Sequence, residues 1–201
     1  MDIRTQRRLR VFDGLHFSFR LLEYHHHTMY PACSAIPRDK AQLIPALASC
    51  WAFIDVLHRL RELSQVIPGL RDTAAELRRF RERTVLAEQC RHYIQHLRSE
   101  LARPSPEARP VWGSLSWVDP TDSLVGHTVM FGAHLPNASY SGAVFDTVER
   151  RWVSRVCLGV LDWSFNFDPL FEEAMAFERF IIPRMLAEDG DPATNRPPIY
   201  R

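Results

Sequence analysis

Apolar residues recur at helical spacing through the first half of the chain and give way to strand-like alternation after Pro110. The first helical pattern covers residues 12 to about 30, and Pro31 is expected to end it. The second opens at Pro37-Arg-Asp39, where Asp39 can cap, and runs to Val66 before Pro68-Gly69 stops it. Leu43, Leu47, Cys50, Ile54 and Leu57 form one apolar face, and Phe53, Val56, Leu60, Leu63 and Ile67 form the next. A stripe that wide predicts a central, mostly buried helix. The third pattern starts at an Asp72 cap and is expected to run to about Arg103, where Pro104-Ser-Pro106 ends it. Its core face is Phe80, Ala87, Cys90, Ile94, Leu97 and Leu101, spaced as packing on a partner helix requires. Short connections favour antiparallel neighbours, so residues 1–110 are expected to form an up-down bundle.

Residues 111–118, 127–133, 143–148 and 152–162 are rich in β-branched and aromatic side chains. Asp119-Pro, Pro136-Asn and Ser141-Gly punctuate them. They predict a small antiparallel meander over 111–167, with Glu149-Arg-Arg151 as the turn of its last hairpin. Asp168-Pro169 supplies an N-cap and a first-turn proline for a final helix over 168–187, packed on the bundle through Leu170, Phe171, Ala174, Met175, Phe177 and Phe180. Pro183 is expected to kink or fray its end, and 188–201 reads as a flexible tail. The expected fold class is α+β, mainly α: an antiparallel helical bundle with a small antiparallel β meander inserted before the last helix.

A length of 201 residues suits one domain with an ordinary core. Hydrophobic content of 46% with 24% charged excludes a disordered, collagen-like or disulfide-dense chain. Cys33, Cys50, Cys90 and Cys157 form no C-x-x-C pair and read as buried free thiols. The longest apolar run, residues 43–54, contains Pro45 and Ser49 and stops at Asp55, too short to span a bilayer. No signal-peptide apolar stretch follows the basic N-terminus. The expectation is a cytoplasmic protein with no membrane partner.

Of 25 basic side chains only Lys40 is lysine, against 24 acids and a net charge of +1. The charge is lopsided: residues 1–110 carry +6 and residues 111–201 carry −5. A basic half can attract a polyanion.

Two polar stripes interrupt the helical faces. Asp55, His58, Arg59 and Glu62 share one side of the second helix, with Asp55–Arg59 and His58–Glu62 at i,i+4. On the third, Glu88, His92, Gln95, His96 and Ser99 lie opposite the Ile94 and Leu97 face, and Arg78 and Arg81 extend the stripe. Two histidines one turn apart are unusual on a solvated surface.

Within that stripe, Arg91-His-Tyr-Ile-Gln-His96 resembles the R-x4-6-H signature of the HEPN superfamily, all-helical domains found in many bacterial toxins and defence ribonucleases. A polar residue follows the arginine there, as His92 does here. Arg20-Leu-Leu-Glu-Tyr-His25 has the same spacing but Leu21 at that position. The resemblance implies a metal-independent endoribonuclease, or an RNA- or nucleotide-binding relative, with no cofactor. His96 would act as general acid/base at the ribose 2′-hydroxyl, Arg91 would hold the phosphate, and His92, Glu62, Asp55 and His58 would support them. Imidazole titrates near neutral pH and guanidinium offers phosphate a fork of donors. In a straight helix, five residues place Arg91 and His96 about 140° apart. The resemblance therefore implies a homodimer that pairs motifs across its interface.

Two other functions fit the sequence. Glu88, His92 and His96 at i, i+4, i+8 are spaced as metal ligands, with Asp55, His58 or Glu62 able to complete the shell. Trp112, Trp117, Trp152 and Trp163 cluster in the β region, and with the lopsided charge they suit a non-catalytic protein that binds a protein partner. His25-His-His27 points in three directions, so no single site can use all three. Walker, dinucleotide-binding, nucleophile-elbow and H-E-x-x-H motifs are absent.

Overall fold

The structure is a computed structural model, and it describes residues 2–102, 109–132 and 144–187. The 188–201 tail, the Pro104-Ser-Pro106 stop and the Pro136-Asn and Ser141-Gly turns lie outside the described residues. The described elements are mainly helical, with a small antiparallel sheet before the last helix, so the fold is α+β, mainly α.

Helix α1 (Ile3–Ala35) is longer than its apolar pattern at both ends. Asp2 caps it, accepting from the Thr5 N–H at 2.9 Å. Pro31 does not end it. The proline is exposed, while Met29, Cys33 and Ile36 around it are all buried. Continued packing outweighs the one ladder bond that proline removes. A 3-10 turn at Lys40–Gln42, started by Asp39 accepting from the Ala41 N–H at 3.0 Å, leads into α2 (Leu43–Ser64). Helix α2 is long and apolar enough to cross a membrane by composition, but it packs as the core helix its pattern predicts, burying Cys50, Phe53, Ile54, Val56, Leu57 and Leu60.

The third helical pattern is three helices, not one: α3 (Ala75–Arg83), α4 (Val85–Gln95) and α5 (Leu97–Ala102). Thr84 and His96 break it, with φ/ψ of −109°/13° and −109°/18°. The Thr84 hydroxyl donates to the Phe80 carbonyl at 2.6 Å and accepts from Arg61 Nη1 at 2.9 Å. Such side-chain bonds compete with the helical ladder. Asp72 does not cap α3; Ala74 holds that position, and Asp72 pairs with Arg81 at 3.1 Å. Beyond the His96 break α5 turns off the expected face, which leaves Leu101 exposed.

Contacts run in opposite order along neighbouring helices. Gly14 lies against Leu63 and Thr28 meets Ser49, so α1 and α2 are antiparallel. Arg8 bonds the Met185 carbonyl, Phe19 meets Phe177 and His26 stacks on Phe171, so α1 is also antiparallel to α6 (Phe167–Ala187). Helix α6 continues through Pro183 to a buried Met185.

The small antiparallel sheet expected before the last helix is present, and its strand order departs from a simple meander. Strands β1 (Ser114–Val118), β2 (Gly126–Met130), β5 (Val156–Val160) and β6 (Trp163–Asn166) form one antiparallel sheet in the order β2-β1-β5-β6. β3 (Phe145–Asp146) and β4 (Arg151–Trp152) form a separate two-stranded ribbon. The 149–151 turn thus belongs to that ribbon, and the last hairpin turns at Leu161-Asp162. Burial explains the pairing. Leu115 and Trp117 of β1, Leu158 and Val160 of β5, and Phe165 of β6 share a core with Phe19, Phe53, Phe80 and Phe177. Val118 and Cys157 on the opposite face pack with Val144 and Trp152 beside the ribbon. Gly113 enters β1 at φ +86°, where a Cβ would strike the Gly159 carbonyl oxygen.

Candidate functional site

The polar residues of α2 and α4 form a seam of ion pairs. Asp55 accepts from Arg59 Nε at 2.9 Å and pairs with Arg91 Nη1 of α4 at 3.1 Å. Farther along α2, Arg61 donates from Nη2 to Glu88 at 2.6 Å. The later α2 residue meets the earlier α4 residue, so this pair of helices is antiparallel as well. Arg61 is buried and reaches Thr84 and the Arg81 carbonyl with its other terminal nitrogen. Its guanidinium holds the Glu88 carboxyl below the usual carboxylate range, first by hydrogen bonding and then by charge, with a smaller contribution from His58. Sequence reasoning missed Arg61. It continues the buried face of Ile54 and Leu57 at i+7 and i+4, which is the signal that could have found it.

The metal alternative does not assemble. Glu88 is engaged by Arg61, and among the described residues no three His, Cys, Asp or Glu side chains are grouped to hold a metal ion. Glu62 is exposed, accepts from Gln65 at 3.4 Å, and joins neither pair of the seam.

His92 and His96 do come together, with ring centroids 4.4 Å apart. His96 ends α4: its N–H bonds the His92 carbonyl at 3.1 Å, and its own carbonyl receives the Ser99 and Glu100 N–H groups that begin α5. Arg91 instead faces α2. Within one chain the structure therefore separates Arg91 from the imidazole pair.

His92 lines a cleft of about 680 Å³ between α4 and the β5–β6 turn, whose other walls include Glu88, Gln89, Tyr93, Glu100, Leu161 and Trp163. Tyr93 and Trp163 meet edge to face at 6.3 Å. The Tyr93 hydroxyl bonds the Val111 carbonyl at 3.3 Å, and burial raises its pKa. Leu161 reaches this cleft from a left-handed backbone, φ +51°, which is rare for a bulky side chain. A two-residue hairpin loop at Leu161-Asp162 requires it.

A second polar centre lies between α1, β5 and α6. The Asp168 carboxylate accepts from His26 Nε2 at 2.8 Å, from the Arg155 N–H at 2.7 Å and from Arg155 Nη2 at 3.0 Å. Burial alone would raise its pKa, but the hydrogen bonds from His26 and Arg155 hold it well below the usual carboxylate range. Asp168 is thus a tertiary anchor and not the expected N-cap; its N–H goes to the Ser154 hydroxyl at 3.1 Å. His26 is buried, stacked on Phe171 at 3.9 Å, and the Arg155 guanidinium lies over the Tyr30 ring. Of the three consecutive histidines only His26 sits on the apolar face with Leu22 and Met29, a position readable from spacing.

All four cysteines are free and buried, as their surroundings imply. Burial pushes the thiols of Cys33, Cys90 and Cys157 up to about 12. None is a nucleophile near neutral pH. No protein-family model, curated protein or solved structure matches this chain.

Proposed function

We propose that the protein is a cytoplasmic, HEPN-like RNA-binding protein that cleaves RNA as a homodimer, using His92 and His96 of one protomer and Arg91 of the other. The observation that carries this reading is the imidazole pair, with ring centroids 4.4 Å apart, of which His92 lines the cleft between α4 and the β5–β6 turn. Trp163, half-buried at the cleft wall, offers a ring on which a base can stack. One imidazole takes the 2′-hydroxyl proton as the 2′-oxygen attacks phosphorus. The P–O5′ bond breaks, and the other imidazole, as imidazolium, protonates the departing 5′-oxygen. The products are a 2′,3′-cyclic phosphate and a 5′-hydroxyl. A guanidinium stabilises the charge that develops on the phosphoryl oxygens. Because Arg91 turns to Asp55 within its own chain, it reaches this site only from a second copy, exchanging or sharing its carboxylate partner.

The test is incubation of the purified protein with a mixed RNA pool in EDTA, reading cyclic-phosphate ends. Wild type yields them, and His96→Ala and Arg91→Ala do not. Mixing the two inactive variants restores part of the activity, because one site of each mixed dimer is intact. Equal activity in wild type and His96→Ala refutes the catalytic assignment, and failure of the mixture to recover refutes the shared site.

One observation favours the second reading, a non-catalytic protein that binds a protein partner. Leu124 and Val148 are 85% and 89% exposed, and a groove of about 330 Å³ lined by Leu124, Val144, Phe145 and Trp152 lies beside β2. Light scattering with and without cell extract separates this from the nuclease.

A further inference from the structure

Helices α3 and α6 enclose a second cleft, of about 570 Å³, distinct from the α4 site in every lining residue. Arg79 and Arg83, one turn apart on α3, face Glu172, Glu173 and Arg179 of α6 across it. Glu173 is buried at 8% exposure, and Arg79 satisfies it with Nε and Nη2, both on Oε2, at 3.0 and 2.9 Å. That pairing cancels one charge of each sign and fixes the Arg79 plane, while its third nitrogen, Nη1, stays unused. Arg83 and Arg179 are exposed and make no ion pair or hydrogen bond among the described residues. The cleft is left with two unpaired guanidinium groups against the single carboxylate of Glu172. Its walls hold no aromatic ring, so nothing in it can stack on a base.

We propose that this cleft binds a phosphate group, with Arg83 and Arg179 as the ligating side chains and Arg79 Nη1 completing the donor set. Paired N–H donors of a planar guanidinium match phosphate oxygens, and Arg83 and Arg179 have no ion pair among the described residues to give up when they take one. The phosphate can belong to an RNA backbone or to a free nucleotide; the chemistry of recognition is the same. This site does not rest on the cleavage reaction proposed above.

The experiment measures binding of a labelled single-stranded RNA, and separately of a nucleoside triphosphate, to wild type and to Arg83→Ala/Arg179→Ala. Arg38→Ala/Lys40→Ala, which removes two exposed charges elsewhere, is the control. Neither variant breaks a packed contact, and thermal melting verifies that both fold. The expected result is a loss of about tenfold or more in the first variant only. If RNA is the ligand, the salt dependence of log K also falls by about 0.7 for each lost phosphate contact. Weakened nucleotide binding with unchanged RNA binding identifies the free nucleotide as the ligand. Unchanged affinity for both probes, or the same loss in the control, overturns the proposal. Cyclic-phosphate ends report on the α4 site and nucleoside triphosphate affinity reports on this cleft, so failure of the nuclease reading and failure of this one are read separately.

Discussion

Replacing Asp168 with Asn asks whether charge holds the α1–α6 junction. The amide keeps the shape and still accepts from the Arg155 N–H, but it removes the negative charge that faces His26 and the Arg155 guanidinium. His26 is only 6% exposed, so weakening the bond to its Nε2 leaves a buried donor poorly satisfied. That costs about 1–3 kcal/mol. The Arg155 side chain is 53% exposed, and a pair so open to solvent adds about 0–1 kcal/mol. The expected loss is therefore about 1–4 kcal/mol. In a chain of 201 residues each kcal/mol lowers Tm by about 2–4 °C.

The pH dependence gives a sharper check. The Asp168 carboxyl is held below its unfolded value, so its contribution is fully present above the ordinary carboxylate range and is lost as pH falls through the depressed native value. The stability gap between wild type and Asp168→Asn narrows by about 1 kcal/mol from about pH 5 to about pH 3, because the unfolded carboxyl protonates first. Urea unfolding of both proteins across that range measures it. Equal stability at pH 7, or a gap unchanged at pH 3, refutes the claim that an ionised carboxylate anchors the junction.

The remaining predictions test other joints of the fold. Arg61→Ala, which strips Thr84 and the Arg81 carbonyl of their shared donor and frees a Glu88 that is 58% exposed, is expected to cost about 1–3 kcal/mol in urea unfolding, and no measurable loss would refute the role given to this group. Arg61→Lys is expected to recover only part of that loss, since one ammonium cannot reproduce the fork. Gly113→Ala combines a left-handed backbone with a clash at the Gly159 carbonyl, and a melting temperature unchanged from wild type would contradict the geometry of β1. Pro31→Ala restores the missing ladder donor at an exposed position and is expected to raise stability by about 1–3 kcal/mol, read by thermal melting.

Local signals were legible where one helix decides its own fate. The double apolar stripe of α2 and the buried cysteines follow from spacing and composition alone. The break at Thr84 does not, because it comes from a tertiary partner. Thr84 leaves the helical ladder in company with Arg61, 23 residues earlier. Pro31 is the converse case, a strong local stop signal overridden by packing on both sides of it. Strand order was hidden for the same reason: β1 pairs with β2 on one side and with β5 on the other, skipping the two-residue strands β3 and β4, because β1 and β5 both carry core-facing side chains. The histidine stripe of α4 was readable as a stripe, but the turn of Arg91 toward Asp55 depends on how α4 lies against α2. The Asp168 centre joins residues 142 positions apart, and no motif spacing reports such a pair.

The excess of arginine over lysine acquires a structural account from these partners. Arg61 serves a carboxylate, a hydroxyl and a carbonyl at once. Arg81 reaches Asp72, the Ser64 hydroxyl and the Ser64 carbonyl. Arg155 holds Asp168 while lying over Tyr30. Each arginine here ties together segments distant in sequence by using several nitrogens of one rigid plane, which a lysine ammonium cannot do. Composition alone would count all of them toward a polyanion-binding surface. Arg91 is already committed to Asp55 and is released only at a cost, whereas Arg83 and Arg179 have no such commitment among the described residues. A ligand that seeks guanidinium therefore meets less resistance in the α3–α6 cleft than at Arg91.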